Sequence, residues 1–358
     1  MRRLAGNCYL ALRTQDGRYL SPAPTTEALR HSGLAGMYAN LCARLDVAID
    51  KRIAINGMQL SLANGNRWHA LTHLLASLQE HNIEPVLFKG GVLHARWPVM
   101  RDLRTLADYD LIVPLGQLET LQAKLARDGF DHMPAASWLV RRLTKGSMVW
   151  KGDGLEHQNL DIHAHVTEPP VCSSLTRSIL ASNERAEGIR IPDLEDCVCM
   201  IALHIVRSGM YRPLREYIDL MWYLDGMDEA GWQALHSRAA RHHLLPALFL
   251  SLRQARYCLA LDTLAPDRAE SLGRRIVQLG SDISALRMRA LDWLAPPDYP
   301  MRPIESRNHP AFRRSFALGA GTSSAWRVCA AFLSYGAARV ADRLTGGDRI
   351  GGNSSAAD

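Results

Sequence analysis

Two aspartates inside one apolar run constrain this chain more than any other feature. The stretch from Phe88 to Val113 reads FKGGVLHARWPVMRDLRTLADYDLIV, and its last six residues, DYDLIV, have the texture of a buried strand apart from Asp108 and Asp110. Side chains along a strand repeat every second residue, so both carboxylates point to the same side. A buried, unpaired carboxylate is costly enough that such a strand must offer it a partner. The candidates are an arginine, a metal ion, or open solvent at a sheet end. The fold therefore needs a sheet with one polar working face, held by neighbours that supply the remaining charges.

The sequence around this strand supplies them. EPVLF, opened by Pro85, predicts a short strand; KGG is its exit turn, and GVLHARW a short helix stopped by Pro98. Pro114 ends DYDLIV, and LGQLETLQAKLARDGF predicts an amphipathic helix with its stop at Gly129. SMVWKGDG predicts a strand and turn, and HQNLDIHAHV alternates with a strand's period before Pro169 and Pro170. Residues 81–170 thus read as a small α/β core. Residues 1–80 read as a helical region, from three- and four-residue spacing in LAGMYANLCARLDVAI and WHALTHLLASLQEHNI. Residues 171–290 read as a helical bundle, including PDLEDCVCMIALHIVRSG with acids in its first turn. Residues 291–358 read as a proline-rich basic arm, an amphipathic helix over 325–344 and a polar tail. The expected fold class is α+β: a mixed sheet with flanking helices and helical regions at both ends. No internal repeat is visible.

Composition narrows the class without naming a reaction. The 358 residues are 47% hydrophobic, enough for a large core. A net charge of +6 suits an anionic partner such as a nucleotide, a nucleic acid or a membrane surface. Only five of the 42 basic residues are lysines, which makes Lys89 conspicuous. The seven cysteines are odd in number, scattered and set among apolar residues, the pattern of reduced thiols packed as small hydrophobes. The N-terminal apolar stretch is too short and interrupted for a secretory signal, so a cytoplasmic location is expected. No transmembrane segment is expected either: the longest near-candidate, Ala325 to Ala341, carries Arg327 and Arg339.

The chemistry follows from the acids. Two carboxylates on one strand face repel unless a cation sits between them, and Mg²⁺ (or Mn²⁺) takes oxygen ligands while sharing its shell with substrate phosphates. A third acid, Asp161 in NLDIHAHV, falls on a predicted neighbouring strand, so Asp108, Asp110 and Asp161 together form a candidate metal-binding and catalytic set. Lys89, Gly90 and Gly91 lie between a strand and a helix, where backbone N–H groups and an ammonium can meet a phosphate. Arg101 and Arg104 could bind phosphate too, or could neutralise the aspartates as ordinary ion pairs. His163 and His165, with His157, fall short of a recognisable zinc spacing. His204 and Asp219, on predicted helices among core residues, suit a satisfied buried pair or a substrate contact.

These residues resemble a known family. LFKGGVLHARWPVMRDLRTLADYDLIV, LDIH and IALHIVRSGMYRPLREYIDLMWYL, over roughly residues 70–225, look like a bacterial nucleotidyltransferase-like family with a Lys-Gly turn, an arginine ahead of Asp-x-Asp, and an Asp-x-His strand. Many members lie beside biosynthetic genes for lasso peptides and other modified peptides, or for polysaccharides. The resemblance implies the fold of polymerase-beta-type nucleotidyltransferases, with metal carboxylates at Asp108, Asp110 and Asp161. It puts Lys89, Gly90 and Arg104 on the phosphate side and His163 at the family's strand histidine, and it aligns His204 and Asp219 with the family's helical segment. The implied reaction is metal-dependent transfer of a nucleotidyl or related phosphate-linked group from an NTP donor to a hydroxyl or phosphate of a small-molecule or peptide acceptor. The alternative is a nucleotide-sensing or partner-binding module of the same fold with little turnover, antitoxin-like; three converging negative charges argue against it. An RNA-modifying transferase gains from the basic charge, but the chain lacks a recognisable nucleic acid-binding module or clustered aromatics.

Overall fold

A computed structural model describes residues 1–25, 28–29, 33–106, 108–132, 148–152, 159–166, 173–207, 213–285 and 288. Among them α1 (Arg2–Thr14), α2 (Ala35–Arg44) and α3 (Lys51–Gln79) precede β1 (Val86–Phe88). Then come α4 (Gly90–Arg96), α5 (Met100–Leu103), β2 (Asp108–Ile112), α6 (Leu118–Arg127), β3 (Phe130–His132), β4 (Met148–Gly152) and β5 (Asn159–His163). The chain continues through α7 (Ser173–Ala181), β6 (Arg185–Ala186), β7 (Ile189–Arg190), α8 (Leu194–Arg207), α9 (Leu214–Asp225), α10 (Glu229–Arg241), α11 (Leu245–Cys258), α12 (Leu261–Leu264) and α13 (Pro266–Ser281). The fold is α+β, as the sequence predicts. His157 and everything expected of the basic arm, the 325–344 helix and the tail lie outside the described residues.

The chain divides into two compact units. A helical unit takes Met1–Trp68, Leu93–Thr105 and the described residues from Asp193. Local chemistry starts its helices where they start. Glu195 and Asp196 lie in the first turn of α8, where the helix dipole favours acids. The Asp228 carboxylate caps α10 by accepting from the Gly231 N–H at 2.8 Å. Prolines open α11 and α13, at positions where a missing N–H costs nothing. Tyr9, Tyr38, Tyr217, Tyr223 and Trp232 fill its core, and Cys8, Cys42, Cys197, Cys199 and Cys258 are buried free thiols within it.

The sheet unit takes His69–Val92 and Leu106–Pro192. Its five strands run in the order β1-β2-β5-β4-β3. Only β2 and β5 pair in parallel; the other neighbours are antiparallel, which makes the sheet mixed. On one face Leu87, Tyr109, Leu111, Leu160 and Ile162 are buried in the core. Gly91 fits that packing: a Cβ there would lie 2.6 Å from Leu87 Cδ1 and 3.2 Å from Tyr109 Cδ1. The other face carries Asp108, Asp110, Asp161 and His163. Two elements were not foreseen, the short β3 and the β6–β7 hairpin. The hairpin turns on Glu187 (φ 50°) and Gly188 (φ 80°), the pair of positive φ values that a two-residue turn of this hand requires.

Candidate active site

Register brings the acids together. In the parallel pairing of β2 with β5, Asp110 is the partner of Asp161, and in the antiparallel pairing of β1 with β2, Phe88 is the partner of Asp110. Residues 108 and 110 on β2 and 161 and 163 on β5 then share a face by the strand's period of two. The side chains converge accordingly. His163, with no exposed surface, places Nε2 2.9 Å from Asp110 Oδ1 and 3.0 Å from Asp161 Oδ2. Carboxylate oxygens only accept, so the proton on that nitrogen is shared between them, and the opposite nitrogen, Nδ1, is buried without a hydrogen-bond partner among the described residues. The Phe88 ring packs edge-on against the imidazole, centroids 4.9 Å apart at 86°, which fixes the plane of the ring.

Lys89 closes the group from the side of β1. Its ammonium pairs with Asp110 Oδ1 and lies 5.2 Å from the centroid of the Phe88 ring. Its backbone is left-handed, with φ 54°, a conformation that glycine adopts freely and a lysine does not. The turn that carries Lys89, Gly90 and Gly91 thus starts on a residue held against its preference, as happens where a side chain is wanted at a fixed place.

The electrostatics separate the two aspartates of β2. Burial alone would raise the pKa of Asp110, but the Lys89 ammonium and the His163 hydrogen bond outweigh it and hold the carboxyl below its ordinary value. Asp108 opens the strand with its surface exposed to solvent. Even so, the protein mass around its carboxyl, and after that the negative charges of Asp110 and Asp161, push its pKa up; Lys89 only partly offsets them. Asp108 sits at the rim of the group. The ligand atoms that lie within 4.8 Å of one another belong to Asp110, Asp161 and His163. This donor set fits a hard divalent cation: oxygens from two adjacent strands, an imidazole beside them, and a third carboxylate on the same strand face.

Arg104, expected on the phosphate side, lies in the helical unit. Its Nε donates to both oxygens of Asp219, at 2.8 and 3.1 Å, and another guanidinium nitrogen donates to the Thr105 carbonyl. Both side chains are buried, and burial keeps the Asp219 pKa raised in spite of the arginine. The same segment is pinned through its backbone. Asn64 Nδ2 donates to the carbonyls of Arg101 and Arg104, and His94 Nε2 meets the Arg104 carbonyl at 2.8 Å. Arg101 stacks over Trp68 at 4.3 Å and donates to the His94 carbonyl. His204 lies 4.0 Å from Glu216 on α9. The Lys89–Asp110 pair, the sharing of His163 between two acids and the Asn64–His94 scaffold were not read from the sequence; each joins residues that only the tertiary register makes neighbours.

A family described as an uncharacterised nucleotidyltransferase matches residues 5–260. The chain belongs to this family. The nucleotidyltransferase match runs well beyond the 70–225 stretch that carries the motifs, into helices that come before β1 and after β7 in the sequence. No curated protein and no solved structure matches the chain. Among the described residues no helix is long and apolar enough to cross a membrane.

Proposed function

We propose that the chain is a metal-dependent nucleotidyltransferase that moves a nucleotidyl group from an NTP to a hydroxyl or phosphate of a small molecule or peptide. The observation that carries this reading is the pairing of Asp110 with Asp161 on parallel neighbours, with ligand atoms of Asp110, Asp161 and His163 within 4.8 Å. Membership of a nucleotidyltransferase family supports an NTP as the donor. Asp108, Asp110 and Asp161 would hold Mg²⁺ or Mn²⁺, which when bound offsets negative charge on the phosphates and lowers the pKa of an attacking hydroxyl. His163 orients Asp110 and Asp161 by donating to both. Lys89, with the Gly90–Gly91 backbone behind it, takes the polyphosphate of the donor. The acceptor oxygen attacks the α-phosphorus, its proton passes to a carboxylate or solvent, the bond from the α-phosphorus to the bridging oxygen breaks, and pyrophosphate leaves.

The test is turnover. Purified protein with each of the four NTPs and Mg²⁺ or Mn²⁺ should release pyrophosphate or label an acceptor, and Asp108→Asn or Asp161→Asn should abolish the signal. Equal nucleotide binding by wild type and both variants, with turnover by none, would replace the transferase with the nucleotide-sensing module.

A further inference from the structure

We propose that Lys89 is a built-in counter-cation for the acidic group, exchanged for the divalent metal when metal and nucleotide arrive together. This role deepens the nucleotidyltransferase reading and rests on it. The geometry has three parts. First, the ammonium occupies Asp110 Oδ1, the same oxygen that accepts from His163 Nε2. An oxygen that already accepts from an ammonium and an imidazole has little left to give a metal, so a divalent ion binding there must displace the lysine. Second, Asp110 is 6% exposed, and a buried carboxylate left without a cation is strongly disfavoured. Lys89 therefore stabilises the metal-free fold of the strand face. Third, the ammonium hangs from a left-handed residue at the exit of β1, on a side chain that remains about a fifth exposed. It can leave Asp110 without any strand moving, and the polyphosphate of the donor gives it a new anion to meet.

The consequence is a coupling between ligands. Free metal competes with Lys89 and binds weakly; a nucleotide draws the ammonium onto its phosphates, frees Asp110 and tightens the metal. By linkage the metal must tighten the nucleotide by the same factor. Lys89 is thus a positioning and gating residue as well as a phosphate ligand.

The experiment measures Mn²⁺ affinity by electron paramagnetic resonance, without turnover, for wild type, Lys89→Met and Lys89→Gly. Lys89→Gly guards against misfolding, because glycine accepts the left-handed backbone at that position. Each titration is repeated with the α,β-methylene analogues of the four NTPs. In wild type the analogue should tighten Mn²⁺, by a factor on the order of 5 to 150. Both variants should bind Mn²⁺ tighter than wild type in the absence of analogue, and should lose most of the coupling. Unchanged or weaker Mn²⁺ binding in both variants would overturn the counter-cation role while leaving the metal site intact. Failure of Mn²⁺ to bind any of the three proteins, even with analogue present, would remove the metal site and the role of Lys89 together.

Discussion

The helical unit and the sheet unit both bury aspartates, but they neutralise them differently. In the helices three aspartates meet guanidinium groups, while the buried Glu216 has His204 4.0 Å away. Asp219 pairs with Arg104, Asp196 with Arg238 at 3.0 Å, and Asp225 with Arg13 and Arg268 while also accepting from Tyr9. On the sheet, Asp110 and Asp161 face a lysine, a shared histidine and each other. A guanidinium is always charged and locks a carboxylate in a planar fork, whereas an ammonium is a compact point charge on a flexible stem. On the proposed function, the difference separates charge used for stability from charge that a metal would replace.

The comparison breaks first on the sheet. Asp110→Asn should reduce pyrophosphate release by about a thousandfold, in line with the loss of a charged group aligned with the reaction. Chemical denaturation should also show a loss of stability, because the lowered pKa of Asp110 means that its ionised form stabilises the fold at neutral pH and the amide gives up the pairing with Lys89. Arg104→Ala should act on stability first. Leaving Asp219 buried and unpaired is expected to cost about 3–5 kcal/mol of folding free energy, and Arg104→Ala combined with Asp219→Ala should recover part of it in a double-mutant cycle.

A pH titration sharpens the same contrast. Burial, reinforced by the charges of Arg104 and Arg101, lowers the His94 pKa from 6.5 to about 3. Between those values the unfolded chain takes up a proton at this side chain that the folded chain refuses. Its effect is therefore absent above about pH 6.5, and stability falls as the pH drops through that window, by at most about 1.4 kcal/mol per pH unit. Urea midpoints measured from pH 7 to 4 should show this slope, and His94→Gln should flatten it. The smallest effect is expected at Gly91. Alanine there must push Leu87 aside, at a cost of about 1–3 kcal/mol in a thermal melt.

What the sequence disclosed follows the range of the interactions. The same-side placement of Asp108 and Asp110 is a consequence of strand period and needs no tertiary information, and the alternation in NLDIHAHV places Asp161 with His163 in the same way. The sequence places Asp161 on a predicted neighbouring strand, but the contact between these two pairs depends on β5 joining β2 in parallel register, which no local pattern shows. The pairing of Lys89 with Asp110 was not legible, since it joins residues 21 apart across the antiparallel β1–β2 register, and the left-handed backbone of a lysine leaves no local signal. Arg104 shows the same. Its position ahead of Asp-x-Asp gave no sign of the ion pair it makes with Asp219, 115 residues further along the chain. The strand β3 and the β6–β7 hairpin escaped because segments of two or three residues carry too little alternation to register.

Asp110 and Asp161 are proposed to hold a divalent cation on the polar face of the sheet. A crystal grown with Mn²⁺ and a non-hydrolysable NTP, examined by anomalous scattering, tests it directly. The account predicts a peak in contact with oxygens of both aspartates, with the Lys89 ammonium moved onto phosphate. Nucleotide bound with no anomalous peak at these two side chains, and Lys89 still paired with Asp110, would contradict it.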